Sequence, residues 1–350
     1  MRRLDQRALA FVQDTVPPGP ETLHVDLTNT CNFDCVFCWH YSPLRAQRVG
    51  MEWARTRLPT DLAEAALRDA AAIGTSRVLF SGGGEPLLHP AAYEILELCR
   101  ELGLKTTLIS NLSHANVDRL QAAGIDKLLA NCSAASEAVY QVTHPNQRAG
   151  AWPALLDRIA TLATSCAVTL VFVVTRDNAH EIGPALDLAA KVGAMRVQYK
   201  LADLHGSLQQ AAISAGDRAL LLEQLPELET QAAALGVATT LEAFGRELRG
   251  ARQGLDFVRD VGCYVGWYYA RIAANGAVYA CCKNVPIGNL NEASFAEIWR
   301  GASYSDFRAH TRARDFTRWP NACAACGNLS LNVRAARLIQ EAAVGAQAMA

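Results

Sequence analysis

Three cysteines near the start of the chain have a spacing that suits metal chemistry: Cys31, Cys35 and Cys38. The pattern Cys-x3-Cys-x2-Cys fits an iron–sulfur cluster held by a single loop. A four-iron cubane takes four ligands, so three thiolates leave one iron without a protein ligand. A metal position that stays open can bind and activate a small molecule. The spacing therefore predicts a catalytic cluster.

A zinc site is the alternative for the same three thiols. A structural zinc ion needs a fourth ligand nearby. His40 has suitable chemistry, but it follows Cys38 by only two residues, so the loop would have to double back. We therefore favour the iron–sulfur cluster.

The cysteine loop needs a scaffold, and strand and helix patterns alternate regularly along the chain. This alternation predicts an α/β fold with parallel strands and crossover helices. Six strands are enough for a partial (β/α)6 TIM-like barrel. The candidate strands are Leu23–Thr28, Arg77–Ser81, Leu104–Ser110, Lys127–Ser133, Ala167–Thr175 and Arg196–Leu201. The helical stretches between them are Asp61–Ile73, with Thr60 as its N-cap, Ala91–Leu102, Ala115–Ala123, Trp152–Ala163 and Glu181–Val192. Active sites of such barrels assemble at the C-terminal ends of the strands, which is where the cysteine loop falls.

The loop after the second strand reads Ser81-Gly82-Gly83-Gly84-Glu85-Pro86. Glycines let the backbone approach a ligand closely, and Glu85 adds a carboxylate beside them. Taken alone, the segment is equally well explained as a tight turn.

Cys-x3-Cys-x2-Cys, with the aromatic Phe37 before the last cysteine, closely resembles the signature of the radical S-adenosylmethionine (SAM) superfamily. The resemblance implies that SAM chelates the open iron, accepts an electron and yields a 5'-deoxyadenosyl radical that removes hydrogen from substrate. It also implies an electron donor such as flavodoxin or ferredoxin. The glycine loop resembles the family's Gly-Gly-Glu motif, which holds the amino group of SAM. The SAM-contacting residues implied in this way are Phe37, Gly83, Gly84, Glu85, Asn111 and Ser133.

A second group of cysteines follows later: Cys263, Cys281, Cys282, Cys323 and Cys326. Two strand patterns, Tyr268–Ile272 and Ala277–Cys282, flank an Asn-Gly turn and predict a hairpin, and a helix is expected over Ser294–Arg300. This layout resembles the SPASM/twitch module of the superfamily, which implies an auxiliary 4Fe–4S cluster. Cys282 should face away from Cys281 on a strand, so the ligands expected are Cys263, Cys281, Cys323 and Cys326. Four thiolates ligate a cubane fully, which suits electron transfer. A four-cysteine zinc ribbon is the alternative.

These patterns divide the chain into successive regions. We expect an N-terminal segment, a barrel, a helical linker, an auxiliary-cluster domain and a C-terminal helix, over residues 1–20, 21–203, 204–258, 259–330 and 331–350.

Composition limits the partners. The 350 residues carry a formal net charge of -1, and nothing in them favours a nucleic-acid partner. The apolar run Ala8–Val12 is too short for a signal peptide or a membrane span. Eleven cysteines without an export signal predict a reducing, cytoplasmic location and no membrane partner.

The substrate follows only from the resemblance. Superfamily members with an auxiliary cluster mature peptides, commonly with an N-terminal recognition domain, or act on small molecules of antibiotic pathways. About twenty residues precede the first strand, too few for an independent domain. We therefore expect dehydrogenation or decarboxylation of a sugar-, cyclitol- or nucleoside-type small molecule by an oxidoreductase or lyase. Lys200 and Arg271 are candidates for the substrate pocket, together with Trp39, His40, Tyr264 and Trp267.

The alternatives are a ribosomal-peptide maturase that epimerises residues or forms thioethers, and a non-enzymatic iron–sulfur sensor. A sensor has no need for a loop that holds the amino group of SAM.

Overall fold

The computed structural model describes residues 4–250, 255–319, 323 and 326–349. Within these residues, ten strands form one sheet in the order β10-β9-β8-β1-β2-β3-β4-β5-β6-β7. The strands are β1 Thr22–Asp26, β2 Arg77–Ser81, β3 Lys105–Ser110, β4 Lys127–Asn131, β5 Ala167–Val174, β6 Arg196–Leu201, β7 Ala238–Thr239, β8 Tyr269–Ile272, β9 Ala277–Tyr279 and β10 Pro286–Asn289.

Strands β1 to β6 run parallel, each beside the next in the chain. Helices cross between them, so the predicted α/β partial barrel is confirmed. The described α-helices are α1 Gln6–Gln13, α2 Met51–Arg55, α3 Thr60–Ala72, α4 Ala92–Glu101, α5 Val117–Ala123, α6 Glu137–Thr143, α7 Ala151–Leu162, α8 Ile182–Lys191, α9 Ala215–Leu235, α10 Leu241–Leu248, α11 Leu255–Val261, α12 Val265–Tyr268, α13 Phe295–Arg300, α14 Ala302–Arg312 and α15 Leu329–Met349.

The barrel core lies between the helices and the alternate strand residues that face them. On β1, for example, Leu23 and Val25 are buried in this layer. Polar residues alternate with them, since His24 and Asp26 lie on the opposite face of the same strand. One face of β1 therefore packs the fold, and the other presents polar groups inside the barrel.

The C-terminal hairpin does not form a separate sheet. Strand β8 pairs in parallel with β1, with His24 beside Arg271, and β9 and β10 continue antiparallel. An open barrel leaves the edge of β1 with unpaired backbone groups, and β8 supplies their partners. The hairpin therefore extends the barrel sheet directly.

Other expectations change in detail. The cap assignment at α3 is wrong, because the helix begins at Thr60 itself and the preceding Pro59 makes no side-chain cap. The segment expected as a helical linker contains β7, which pairs with β6.

The terminal helices pack on each other beside the hairpin. Phe11 of α1 meets the rings of Tyr264 and Trp267 edge to face, at centroid distances of 5.3 and 4.9 Å. Tyr264, Trp267 and Ala335 of α15 are buried in one small apolar cluster. The expectation that Tyr264 and Trp267 line the substrate pocket is therefore wrong, because both pack against the terminal helices.

Candidate active site

The cysteine loop leaves the carboxyl end of β1 without helix or strand structure and is held by hydrogen bonds to the last residue of α6 and to the segment after it. Val36 N donates to Thr143 O at 3.0 Å. Asn146 fixes the loop twice, accepting from Asp34 N at 3.1 Å and donating to Asn32 O at 2.9 Å. The loop is therefore shaped by contacts with residues more than a hundred positions away.

The three thiols occupy one shielded environment. Cys35 is buried, while Cys31 and Cys38 are half-buried. Backbone N–H groups point at two of the sulfurs, with Phe33 N 3.5 Å from Cys31 Sγ and Tyr41 N 3.4 Å from Cys38 Sγ. Burial raises the pKa of Cys31 to about 12, and nearby thiols add to the shift. Metal binding requires thiolates, so a bound cation would have to offset this shift.

His144 packs against this loop with one ring nitrogen unpaired. Its ring lies 5.6 Å from that of Phe33 and 5.8 Å from that of Phe37, edge to face. Nδ1 is 3.2 Å from Tyr140 O, whereas the buried Nε2 has no hydrogen-bond partner. Burial lowers the pKa of His144 to about 4, so the ring is neutral at physiological pH. An orphaned polar nitrogen beside three thiols fits a loop built to surround a further group.

The glycine loop packs its backbone against the residues that follow β1. A Cβ on Gly82 would lie 2.6 Å from Asp26 Cβ, and one on Gly84 only 2.1 Å from Thr30 O. Gly82 also has φ +139°, which side-chain-bearing residues avoid. Glycine is needed at these positions because the backbone of this loop lies directly against Asp26 and Thr30. The same packing brings the glycine loop next to the start of the cysteine loop.

Glu85 is buried and already has protein partners. Its carboxylate accepts from Ser110 Oγ at 2.7 Å, Asn111 N at 2.8 Å and Leu87 N at 3.1 Å. Burial raises the pKa of Glu85, and these hydrogen bonds oppose that effect. The side chain therefore joins the loop after β2 to the end of β3, and its contact with the SAM amino group stays a prediction.

Asn111 reaches the cysteine loop. Its Nδ2 donates to Asn32 Oδ1 at 3.1 Å, and its Oδ1 accepts from Ser113 N at 2.9 Å. The amide thus links the end of β3 to the residue after Cys31. Its position next to the cysteines fits the predicted role at SAM, which no contact here tests.

Ser133 is fully buried and adopts a positive φ of 49°. Its hydroxyl donates to Asn131 Oδ1 at 3.1 Å and accepts from Val173 N at 3.1 Å. Asn178 Nδ2 donates to its carbonyl at 2.8 Å. Ser133 therefore joins the ends of β4 and β5, and its predicted contact with SAM would add to these bonds.

Arg271, expected to bind a substrate carboxylate, instead meets a buried carboxylate of the protein. Its guanidinium donates to Asp26 Oδ2, with Nε at 3.0 Å, and to Asn284 Oδ1. His24 Nε2 lies 3.1 Å from Asp26 Oδ1, close enough for attraction though not aligned for a hydrogen bond. Burial alone would raise the pKa of Asp26, but His24 and Arg271 together lower it. Tyr269 extends the network, with its hydroxyl 2.7 Å from His24 Nδ1.

This network links β1 of the barrel to β8 of the hairpin, and sequence analysis singled out only Arg271 among its members. His24 and Asp26 alternate with apolar residues on β1, so the signal was a strand with polar groups on one face. The partner of Asp26, however, follows 245 residues later. Only the pairing of β1 with β8 brings them together.

Lys200, on the last barrel strand, makes no side-chain hydrogen bond within the described part of the chain. It is exposed to solvent, yet the protein around its amine lowers its pKa, an effect that Glu247 partly opposes. Of the two predicted substrate-binding residues, Lys200 and Arg271, Lys200 is therefore the better candidate to contact a substrate.

Five cysteines line one cavity beside the hairpin: Cys263, Cys281, Cys282, Cys323 and Cys326. Strand β9 ends at Tyr279, so Cys281 and Cys282 lie in a turn where the expected alternation of side chains does not apply. A Cβ on Gly327 would lie 2.8 Å from Cys282 Sγ, which keeps this edge of the cavity open to sulfur. Burial raises the pKa of Cys281 to about 12 and that of Cys323 to about 11. A cavity walled by thiols has the donor set of an iron–sulfur or zinc site.

No three cysteine, histidine or carboxylate groups among the residues that the structure describes converge closely enough to hold a single metal ion. The roles of the cysteines as cluster ligands are taken up as a proposal below.

Two stretches of the chain match known protein families. Residues 25–189 match the radical SAM superfamily, and residues 263–327 match the SPASM iron–sulfur cluster-binding domain. The chain has a radical SAM domain followed by a SPASM domain. These two domains imply SAM and 4Fe–4S clusters as cofactors.

Similar proteins of known identity span most of the chain. A PqqA peptide cyclase of Gluconobacter oxydans is 27% identical over 89% of this chain and 84% of its own length. One from Ruegeria pomeroyi is 28% identical over 90% and 82%. An AdoMet-dependent heme synthase of Methanosarcina barkeri is 26% identical over 81% and 83%.

Solved structures support the fold. Streptococcus suis SuiB bound to S-adenosylmethionine aligns with a TM-score of 0.60 at 17% identity, over 83% of this chain and 68% of that one. Native anSMEcpe with bound AdoMet gives a TM-score of 0.63 at 12% identity, over 92% and 99%. At such identities the likeness concerns the fold alone. In the described part of the chain, no helix is long and apolar enough to cross a bilayer.

Proposed function

We propose that this chain is a radical SAM enzyme that modifies a peptide. Its similarity to several PqqA peptide cyclases, over about nine tenths of the chain and across both domains, carries this proposal. The small-molecule substrate expected from the sequence rested on the short segment before β1. The PqqA peptide cyclases favour the peptide alternative instead, although the heme synthase does not. None of these names points to an antibiotic pathway or a decarboxylase.

In this proposal Cys31, Cys35 and Cys38 hold the SAM-binding cluster. When bound and reduced, that cluster and SAM would supply a 5'-deoxyadenosyl radical able to remove hydrogen from a substrate carbon. The protein's own part is positioning, since the glycine loop packs against the residues that follow β1 and Asn111 ties the end of β3 to the cysteine loop.

The auxiliary cluster is assigned to the cavity of cysteines beside β9. Cys263, Cys281, Cys323 and Cys326 would ligate it fully, as the sequence predicts, which suits a one-electron carrier. Cys282 lines the same cavity and is a fifth available thiolate. The Asp26–Arg271 ion pair joins β8 of the hairpin to β1 of the barrel, the strand that precedes the cysteine loop.

Lys200 is proposed to face the substrate. The residue is exposed near the C-terminal end of β6, the end at which such barrels place their active sites. A carboxylate of a peptide substrate would pair with it. Arg271 is not proposed for this role, because Asp26 and Asn284 already occupy its donors.

The test is anaerobic turnover with SAM and reductant, in which synthetic peptides encoded beside the gene compete with a panel of sugars, cyclitols and nucleosides. We expect a peptide alone to raise 5'-deoxyadenosine formation and to change in mass or, in heavy water, to gain deuterium. If SAM is a cosubstrate, 5'-deoxyadenosine forms in proportion to product. A sugar, cyclitol or nucleoside product that forms in proportion to 5'-deoxyadenosine would overturn the proposal.

A further inference from the structure

A second cavity of about 530 Å³ opens between the cysteine loop, the residues that follow β3 and the segment that follows α6. One wall is Asn32 and Phe33, the residues between Cys31 and Cys35. The opposite wall is formed by the segment from Asn146 to Arg158, which includes the start of α7. The cavity therefore reaches the outer side of the loop that is proposed to hold the cluster.

The cavity is cationic. Arg148 and Arg158 line it, and its lining includes no carboxylate. Within the described residues, neither arginine makes an ion pair or hydrogen bond through its side chain, and Arg148 is exposed. The whole chain has a formal net charge of -1, so this excess of positive charge is local. Unpaired arginines favour carboxylate or phosphate groups, which they bind with two parallel hydrogen bonds.

The cavity is rigidly coupled to the cysteine loop. Asn146, on its rim, donates to Asn32 O at 2.9 Å and accepts from Asp34 N at 3.1 Å. Tyr140, a lining residue, packs on His144 with ring centroids 4.4 Å apart, and His144 in turn meets Phe33 at 5.6 Å. A group that docks in the cavity is thus separated from the cysteines by a single packed layer of side chains.

We propose that this cavity is the docking site for an acidic electron-donor protein of the flavodoxin or ferredoxin type. The inference rests on the proposed function only in that the adjacent cysteines hold a cluster. In the encounter the donor loses one electron and the cluster gains one. Electron-transfer encounters are small and depend on charge, and carboxylates of the donor would pair with Arg148 and Arg158.

The test reverses these charges. Arg148→Glu/Arg158→Glu is compared with Arg68→Glu/Arg100→Glu, which makes the same change in net charge on exposed residues of α3 and α4. Binding of a recombinant flavodoxin is measured by calorimetry at low and high salt. Cluster reduction is followed anaerobically by stopped flow with reduced flavodoxin, and separately with reduced methyl viologen, a small cation that needs no docking site.

We expect the cavity variant to lower the second-order rate constant for reduction by flavodoxin about 10-fold or more at low salt. The loss should shrink at high salt, where exposed charges are screened. Flavodoxin affinity should fall in parallel, while reduction by methyl viologen and the control variant stay unchanged. Docking should also persist in a variant with Cys31, Cys35 and Cys38 all replaced by alanine, which separates this inference from the proposed function.

Equal rates with flavodoxin in both charge-reversed proteins would overturn the proposal. So would a cavity variant that reduces normally but binds the peptide substrate or inorganic phosphate more weakly, because the cavity would then serve a different ligand. A thermal unfolding midpoint equal to that of the control establishes that the reversed variant is folded.

Discussion

Breaking the buried ion pair between Arg271 and Asp26 should lower the free energy of unfolding, and the size of the loss can be estimated from the geometry. Asp26 is 1% exposed, whereas the side chain of Arg271 is 19% exposed. At a separation of 3.0 Å and an effective dielectric constant of about 20, the attraction is about 5 kcal/mol. In Arg271→Met the carboxylate stays buried with only His24 nearby, so we expect a loss of about 3–5 kcal/mol in the free energy of unfolding.

Replacing Asp26 should destabilise the protein less than replacing Arg271. In Asp26→Asn the arginine keeps Asn284 and reaches water, so the expected loss is smaller, about 1–3 kcal/mol. The double variant Arg271→Met/Asp26→Asn should be more stable than Arg271→Met alone, because the uncompensated charge is gone. Arg246→Met, which breaks an exposed pair with Glu242, is the control and should have little effect.

The dependence on pH has a definite sign. In the native protein the pKa of Asp26 is lowered, so its contribution is present above the unfolded pKa of about 3.9 and is lost as pH falls through the folded value. In Arg271→Met, His24 alone opposes the effect of burial on the pKa of Asp26, so this pKa should rise. Protonation then relieves the buried charge, so the difference from the native protein should shrink as pH falls from 7 to 5.

The assay is urea unfolding of anaerobically reconstituted protein, followed by tryptophan fluorescence at pH 7 and pH 5. Hydrogen exchange of the β8–β9 hairpin reports whether the loss is local to the strand that Arg271 anchors. A deficit in Arg271→Met that is below about 1 kcal/mol, or that grows as the pH is lowered, would refute the reasoning.

Three further predictions concern the cysteine loop and its neighbours. Alanine at all three cysteines of the N-terminal triad should abolish SAM cleavage and remove about half of the bound iron, if the two clusters are of equal size; anaerobic iron and sulfide counting checks this, and full iron retention contradicts it. Gly84→Ala places a Cβ 2.1 Å from Thr30 O, so the loop must shift and SAM affinity should fall about 10-fold or more by equilibrium dialysis. Gly216→Ala, whose nearest contact would be 3.6 Å, should leave SAM affinity unchanged. Since the pKa of His144 falls to about 4 on folding, the unfolded chain takes up the proton first, and stability should drop as pH falls from about 6.5 to about 4. In His144→Gln this part of the pH dependence should be absent from urea midpoints, and an unchanged profile would show that another group causes it.

Sequence patterns predicted the strands and helices well because these elements depend on interactions between residues close together in the chain. The six barrel strands and most of their helices were predicted within about two residues, because the alternation of apolar and polar residues and the turn-forming glycines act over short distances. Helix α1 was missed because its partner, α15, lies at the other end of the chain. Cys282 was set aside on the assumption of a continuous strand, and β9 ends before it.

Substrate-facing residues were the least predictable. Arg271 has the chemistry to bind a carboxylate, and the sequence could not show that the carboxylate is Asp26. Glu85 and Ser133 likewise have polar atoms engaged by the protein, which spacing alone does not reveal. A residue type limits what a side chain can bind, whereas its neighbours decide what it does bind.

The sequence by itself determined the fold class, the cysteine loop and the second group of cysteines, since ligand spacing along one loop or turn is a property of neighbouring residues. The tertiary structure alone decided the parallel pairing of β8 with β1, the Asp26–Arg271 link and the cationic cavity behind the cysteines. Each of these joins segments more than a hundred residues apart, and their meeting depends on the order of strands in the sheet.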